Sequence, residues 1–175
     1  MYPPQKETYD YTQEEYKLEL LEGDLAKALA YWYSLSDEGQ IPAWAKFDFM
    51  ELPTGLISLT HLFDVVDDGN DFLCRFWGTA LAEIVGVDMT GKKVSEIHKS
   101  KKFVDTIYRE MKSTIDLKAP RTTTSYLKSK SGLMKFQILL RLPLANKSGD
   151  VAHCMTLSDF QSSKDQSKDN MSNIE

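Results

Sequence analysis

Arg75 stands in an otherwise apolar run, with Phe72, Leu73 and Cys74 before it and Phe76 and Trp77 after it. A guanidinium in such a run must be paired or reach solvent, because an isolated buried charge is costly. Two readings follow. Its planar fork can anchor a carboxylate or phosphate ligand, or, the favoured reading, it can close a structural ion pair with a carboxylate such as Glu83 or Asp88. Cys74 and Cys154 each sit inside an apolar strand pattern and read as small core thiols kept reduced. With no Cys-x-x-Cys and three scattered histidines, His61, His98 and His153, no zinc ligand set is present and no metal is expected. Catalytic signatures are missing as well: there is no Gly-x-Ser-x-Gly, phosphate loop or His-Glu-x-x-His, so the chain does not read as an enzyme. The acidic turn Asp67-Asp68 with Asp71 needs no metal to explain it.

A second group of chemically capable residues is the lysine cluster Lys92, Lys93, Lys99, Lys101 and Lys102. It belongs to a wider asymmetry inside a net charge of −5. Residues 92–147 hold 14 basic and 4 acidic residues, a balance of +10, and the remainder carries −15. Such a face can meet nucleic acid, anionic lipid or an acidic partner, including the acidic arm of a second subunit (Asp10, Glu14, Glu15, Glu19, Glu22). No helix-turn-helix, zinc finger or aromatic interleaving accompanies it, so a solvated face is the expected reading and nucleic acid is not an expected partner. The chain of 175 residues suits one domain with terminal extensions. No apolar run approaches a membrane span, and the polar, acidic start lacks a secretory signal's regions, which gives a cytoplasmic expectation and no membrane partner.

The elements that must position these residues come from periodicity. Residues 1–13 read as a flexible arm. Over 14–36 the residues Leu18, Leu21, Leu25, Ala28, Leu29 and Trp32 recur at helical spacing, with Gly23 a weak point or kink, so an N-terminal helix is expected. Residues 61–66 and 72–77 read as strands around a turn whose Asp-Asp-Gly-Asn residues tolerate positive φ. Thr79 is placed to cap a short helix through its hydroxyl. A longer helix over 100–117 is marked by Phe103, Ile107, Met111 and Ile115, and Pro120 stops it. Three strands follow, over 121–128, 133–142 and 151–157. In the middle one Met134, Phe136, Ile138, Leu140 and Leu142 face one way and Lys135, Gln137 and Arg141 the other. Residues 161–175 read as a disordered tail.

Tight turns make paired strands antiparallel, so the expected architecture is α+β: a five-stranded antiparallel sheet, order 2-1-5-4-3, with the inserted helices over one face. The N-terminal helix is left to cap the other face or to pair with a second subunit as a homodimer.

The motifs carry a resemblance. Tyr31-Trp32 ends a leading helix, and Ile41-Pro42 precedes Phe47-Asp48. Leu62-Phe63-Asp64-Val65 is followed by Phe72-x-x-Arg75-x-x-Gly78-Thr79 and by Gly86-x-Asp88-x-Thr90-Gly91, and Leu142-Pro143-Leu144 comes late. In this order and spacing the chain resembles the bacterial stand-alone PAS subfamily of the PAS-five type, over residues 28–160. The resemblance implies a PAS-like domain over 37–160 that acts as a sensory or protein-interaction module with no output domain of its own. It also implies a ligand held between the sheet and the middle helices. Tyr108 and Met111 on the long helix, with Phe136, Ile138 and Leu140 on the facing strand, then line the site, joined by Arg75, Trp77, Ile84 and His153. The same residues also serve as a plain core. A haem ligand must project from the pocket wall, and a flavin photosensor would use a reactive helical Cys, whereas Cys74 and Cys154 lie on strands. Neither haem nor flavin is expected, and the cofactor stays open. Expected partners are a small-molecule ligand and another protein. Alternatives are a structural interaction module with a solid core, or a nucleic-acid-associated regulator using the lysine face.

Overall fold

Strand β5 (Met134–Ala145) organises the molecule: at 12 residues it is the longest strand, and its alternation assigns one set of side chains to each side of a sheet. The computed structural model describes residues 11–97 and 100–161. On one side of β5 lies β4 (Arg121–Lys128) and on the other β6 (Val151–Gln161), both antiparallel. A second hairpin, β2 (Thr60–Val66) with β3 (Asp71–Trp77), joins through β2 against β6. These five strands are neighbours in the order read from the sequence. A sixth, β1 (Glu14–Tyr16), adds to the edge along β4, so the sheet runs β1-β4-β5-β6-β2-β3 and has six strands rather than five.

The extra strand falls where an N-terminal helix was expected from residue 14. Helix α1 begins only at Gly23 (Gly23–Ser34), preceded by β1 and a 3-10 turn at Leu18–Leu20. Gly23 has φ of +58°, a left-handed value that breaks a right-handed helix, so the apolar spacing of Leu18 and Leu21 had been carried across a stop. The expected arm also ends earlier than read: Tyr11 and Gln13 are buried, while residues 1–10 lie outside the described part, as do residues 162–175 of the expected tail.

In the β2–β3 turn Asp67, Asp68 and Gly69 all take positive φ, the backbone that hairpin composition called for. Gly78 follows β3 where the chain crosses residues 58–60. A Cβ there would come within 2.2 Å of the Ser58 carbonyl oxygen, so only glycine fits. Helix α3 (Thr79–Val85) starts from Gly78 without a side-chain cap, so the Thr79 hydroxyl does not perform the expected capping. Helix α4 (Lys101–Leu117) is capped by Ser100, whose hydroxyl accepts from the Phe103 amide, and it stops at Lys118 in the left-handed region. Among the described residues no helix is long and apolar enough to cross a membrane.

Both faces of the sheet are covered, which corresponds to the alternative in which the N-terminal helix caps the second face. On the first, here called the outer face, α1, α2 (Thr54–Ile57) and the intervening 3-10 turns bury Leu25, Ala28, Trp32, Leu52 and Leu56 against Leu62, Leu140, Leu142, Leu144, Met155 and Leu157. The Trp32 indole donates to the Pro143 carbonyl at 2.8 Å and fixes α1 over β5. The apolar stripe of α1 is thereby occupied by the chain's own sheet. On the inner face, α4 and the segment before it pack Met111, Ile115, Met89 and Val94 on Phe63, Phe72, Cys74 and Cys154.

Candidate ligand site

The strand that was to face Tyr108 and Met111 presents its apolar residues the other way. Ile138 and Leu140 lie in the outer core, with Phe136 packed at its margin, while Met111 and Tyr108 belong to the inner one. The sheet separates the two groups, so they cannot line one cavity. The assignment failed because both faces are covered, which makes the apolar side of β5 no guide to where helices α3 and α4 sit.

Arg75 and His153 are also on the outer side. The Arg75 guanidinium grips Asp64 with one edge, Nε to Oδ1 at 2.9 Å and the second terminal nitrogen to Oδ2 at 2.6 Å, and more than half of the side chain is exposed. Arg75 therefore closes a structural ion pair, with Asp64 as the carboxylate in place of Glu83 or Asp88. His153 Nδ1 lies 2.7 Å from the same carboxylate, under the Trp44 ring. Burial alone would raise the Asp64 carboxyl, but the hydrogen bonds from Arg75 and His153 outweigh it and hold it below the usual carboxylate range. Asp64 thus fills the Nε edge of Arg75 and neutralises it, and the remaining terminal nitrogen points to the exposed margin.

Of the remaining expected residues, Trp77, Tyr108 and Met111 lie on the inner side. Trp77 stacks on His61 with ring centroids 5.1 Å apart, and Tyr108 touches Phe72 edge-on and reaches the Gly69 carbonyl. Ile84 is half-buried on α3, where its carbonyl accepts from the Lys130 amide. His98 and Lys99 lie outside the described residues.

Next to that apolar inner core is a second region of opposite character. Residues paired across neighbouring strands share a face. The register places Arg121, Arg141, Thr156, His61 and Trp77 opposite one another on β4, β5, β6, β2 and β3, a single polar row across the inner face. Thr123, Ser125, Gln137 and Ser158 flank it, and α4 covers the region with the buried Thr106, Glu110 and Thr114, one turn apart. Among the described residues, four buried polar atoms on the row have no hydrogen-bond partner: Arg141 Nε, Thr156 Oγ1, His61 Nδ1 and Trp77 Nε1. Ser158 Oγ, two residues along β6, is a fifth. One surface groove, of 720 Å³, runs along the β1 edge beside Tyr16 and Leu117 and reaches the Arg121 end of the row.

Arg141 is the centre of this region. It is 1 % exposed, and its two terminal nitrogens donate to neutral oxygens, Thr123 Oγ1 at 2.8 Å and Gln13 Oε1 at 2.6 Å. Among the described residues it has no ion pair. Glu110 is nearby, yet both of its oxygens are taken, one by Arg109 at 3.0 Å and the other by Arg121 at 3.2 Å. Burial pushes the Cys154 thiol up to about 12 in spite of Arg141, and burial likewise raises the Tyr11 phenol, so neither supplies negative charge. Burial lowers His61 to about 3, with Arg141 adding to the effect, so its imidazole is neutral. A guanidinium stays charged in almost any surroundings. The region is thus a buried cation whose neighbours are neutral or already paired.

A family model for the PAS domain matches residues 23–157. The chain belongs to the PAS domain family. PAS domains are sensory modules, and the sheet with its two layers is their fold. No curated protein matches the chain. Among solved structures, the VqmA dimer of Vibrio cholerae, described with LuxR-type receptors, is similar at 10 % identity with a TM-score of 0.50, covering 60 % of this chain and 46 % of that one. The chain spans about half the length of the VqmA chains it matches. A variant of Vivid is 14 % identical with a TM-score of 0.48, covering 79 % and 99 %. A sensory box histidine kinase of Vibrio cholerae is 17 % identical with a TM-score of 0.43, covering 59 % and 82 %.

For this PAS domain the sequence reading took Arg75 and passed over Arg141, although both stand in apolar strands. The missed signal was in β5 itself, where Arg141 sits between Leu140 and Leu142 with no turn or charge close by. The lysine face shows local pairing: Lys93 reaches Asp67 at 2.8 Å and Lys101 reaches Asp105 at 2.5 Å.

Proposed function

We propose that this chain is a ligand-sensing PAS domain that holds a small molecule between the inner face of its sheet and the α3–α4 layer. It passes the signal on by contact with another protein. The observation that carries the reading is the row of unpartnered buried polar atoms on Arg141, Thr156, His61 and Trp77. Buried polar groups in folded proteins are satisfied almost without exception, and each one left unmet costs about 1–3 kcal/mol. Four on one row are what a polar ligand would complete. A ligand changes the output only through different affinities for two arrangements of the domain. The covering helix α4 and the strand β1 at the open edge are the elements whose positions it can bias.

The test is a chemically diverse fragment screen read by amide chemical shifts, with native mass spectrometry of protein taken directly from cell lysate. The reading expects a bound small molecule, or fragments whose shifts centre on the inner-facing residues of β2, β5 and β6. Shifts confined to the outer layer, with no co-purified molecule, would contradict it.

A further inference from the structure

The two arginines differ in one respect that identifies the kind of ligand. Arg75 presents Nε and a terminal nitrogen along one edge, and Asp64 fills both. On the same edge of Arg141 the terminal nitrogen is met only by the Gln13 amide oxygen, and Nε is met by nothing. A carboxylate is the group that matches this edge in shape and charge. We infer that the ligand of the inner face is a small organic monocarboxylate, seated on the Nε edge of Arg141 and competing there with the side chain of Gln13. This rests on the reading that the ligand lies on the inner face.

The surroundings narrow the class further. One guanidinium balances one negative charge, and Glu110, close enough to act on Arg141 electrostatically, disfavours a dianion such as phosphate. Thr156 and Ser158, both fully buried beside Arg141, offer hydroxyls to the second face of the carboxylate. At the far end of the row Trp77 Nε1 is a donor without an acceptor, so the ligand's distal group accepts a hydrogen bond. Three strand spacings, ~14 Å, separate Arg141 from Trp77, the span that an acid with a ring and a terminal oxygen would have to bridge.

Competition with Gln13 also provides a route outward. Gln13 directly precedes β1, and its amide nitrogen donates to the Tyr11 hydroxyl at 2.6 Å while its oxygen accepts from Thr123 at 2.8 Å. A carboxylate that takes the Arg141 edge withdraws one of the bonds that hold residues 11–16 to the sheet. β1 is only three residues long and pairs on one side, so that loss is felt by the whole segment.

The experiment titrates the full chain with benzoate, 4-hydroxybenzoate and 4-hydroxyphenylacetate, each against its neutral amide, and with inorganic phosphate. It follows thermal stability and the side-chain amide resonances of Gln13. Saturable stabilisation by a carboxylate and not by its amide, with the Gln13 resonances shifting, is the expected result. Arg141→Lys should weaken that binding at least about tenfold, through loss of the fork. Trp77→Phe, which keeps the ring and removes the donor, should weaken 4-hydroxybenzoate more than benzoate. Amides that bind as well as acids, at the same inner-face residues, would overturn the carboxylate assignment while leaving the inner-face site standing. Preference for phosphate would overturn the monoanion. Carboxylate binding with unmoved Gln13 resonances would overturn the competition. If nothing in the panel binds, the carboxylate assignment falls, and the broader fragment screen decides the site separately.

Discussion

The two faces of one sheet solve the problem of burial in opposite ways. On the outer face Leu140, Leu142, Met155 and Leu157 meet an apolar layer, and the charges of Asp64 and Arg75, with His153, are paired with one another at the margin. On the inner face the same strands present Arg141, Thr156 and Ser158, wholly buried and only partly satisfied. The outer face is built for stability. The inner face gives up stability that, on the proposed function, a bound molecule would restore.

Substitutions break this contrast in a definite order. Leu140→Ala, at a fully buried outer site, should cost about 3–4 kcal/mol in chemical denaturation, the usual range for truncation in a packed core. On the inner face the largest effect comes from pH. His61 titrates near 3 when folded and near 6.5 when unfolded, so the unfolded chain takes the proton first as pH falls. Its contribution is therefore complete above pH 6.5 and is lost between 6.5 and about 3, at up to about 1.4 kcal/mol per pH unit. His61→Phe should flatten that part of the stability–pH curve, and an unchanged slope would show that His61 is not the group responsible. Asp64→Asn should cost about 1 kcal/mol, a modest loss because Arg75 is more than half exposed and solvent screens the pair. Arg141→Met should change stability least, within about 1 kcal/mol of zero, because an apolar side chain removes the unbalanced charge together with its hydrogen bonds. A loss as large as that of Leu140→Ala would mean that Arg141 is already balanced within the chain.

Much of the sheet was legible in the sequence because strand alternation and tight-turn composition are local. The Asp67–Gly69 turn, the two hairpins and helix α4 all follow from residues that contact each other across short spans. The N-terminus was not legible, since the helical spacing of Leu18 and Leu21 mimics a helix while Gly23 stops it and β4 pulls residues 14–16 into the sheet. The site was missed for a related reason. Alternation in β5 reports which residues share a face, not which face is buried, so it set Gln137 and Arg141 beside Lys135 without showing that they lie in a core. What turns Arg141 inward is the cover of α4 and the residues around Gln13, contacts made across 128 positions of chain in the case of Gln13.

The central claim is that Arg141 is a buried cation lacking an anion. Gln13→Glu tests it within the chain itself, by setting a carboxylate where the amide oxygen now lies 2.6 Å from the guanidinium. Measured by denaturation at neutral pH, the variant should gain about 1–3 kcal/mol, as hydrogen bonds to charged groups do, and should no longer respond to added carboxylates. A variant that is no more stable than the parent would show that Arg141 needs no negative partner, and the account of the site would fail with it.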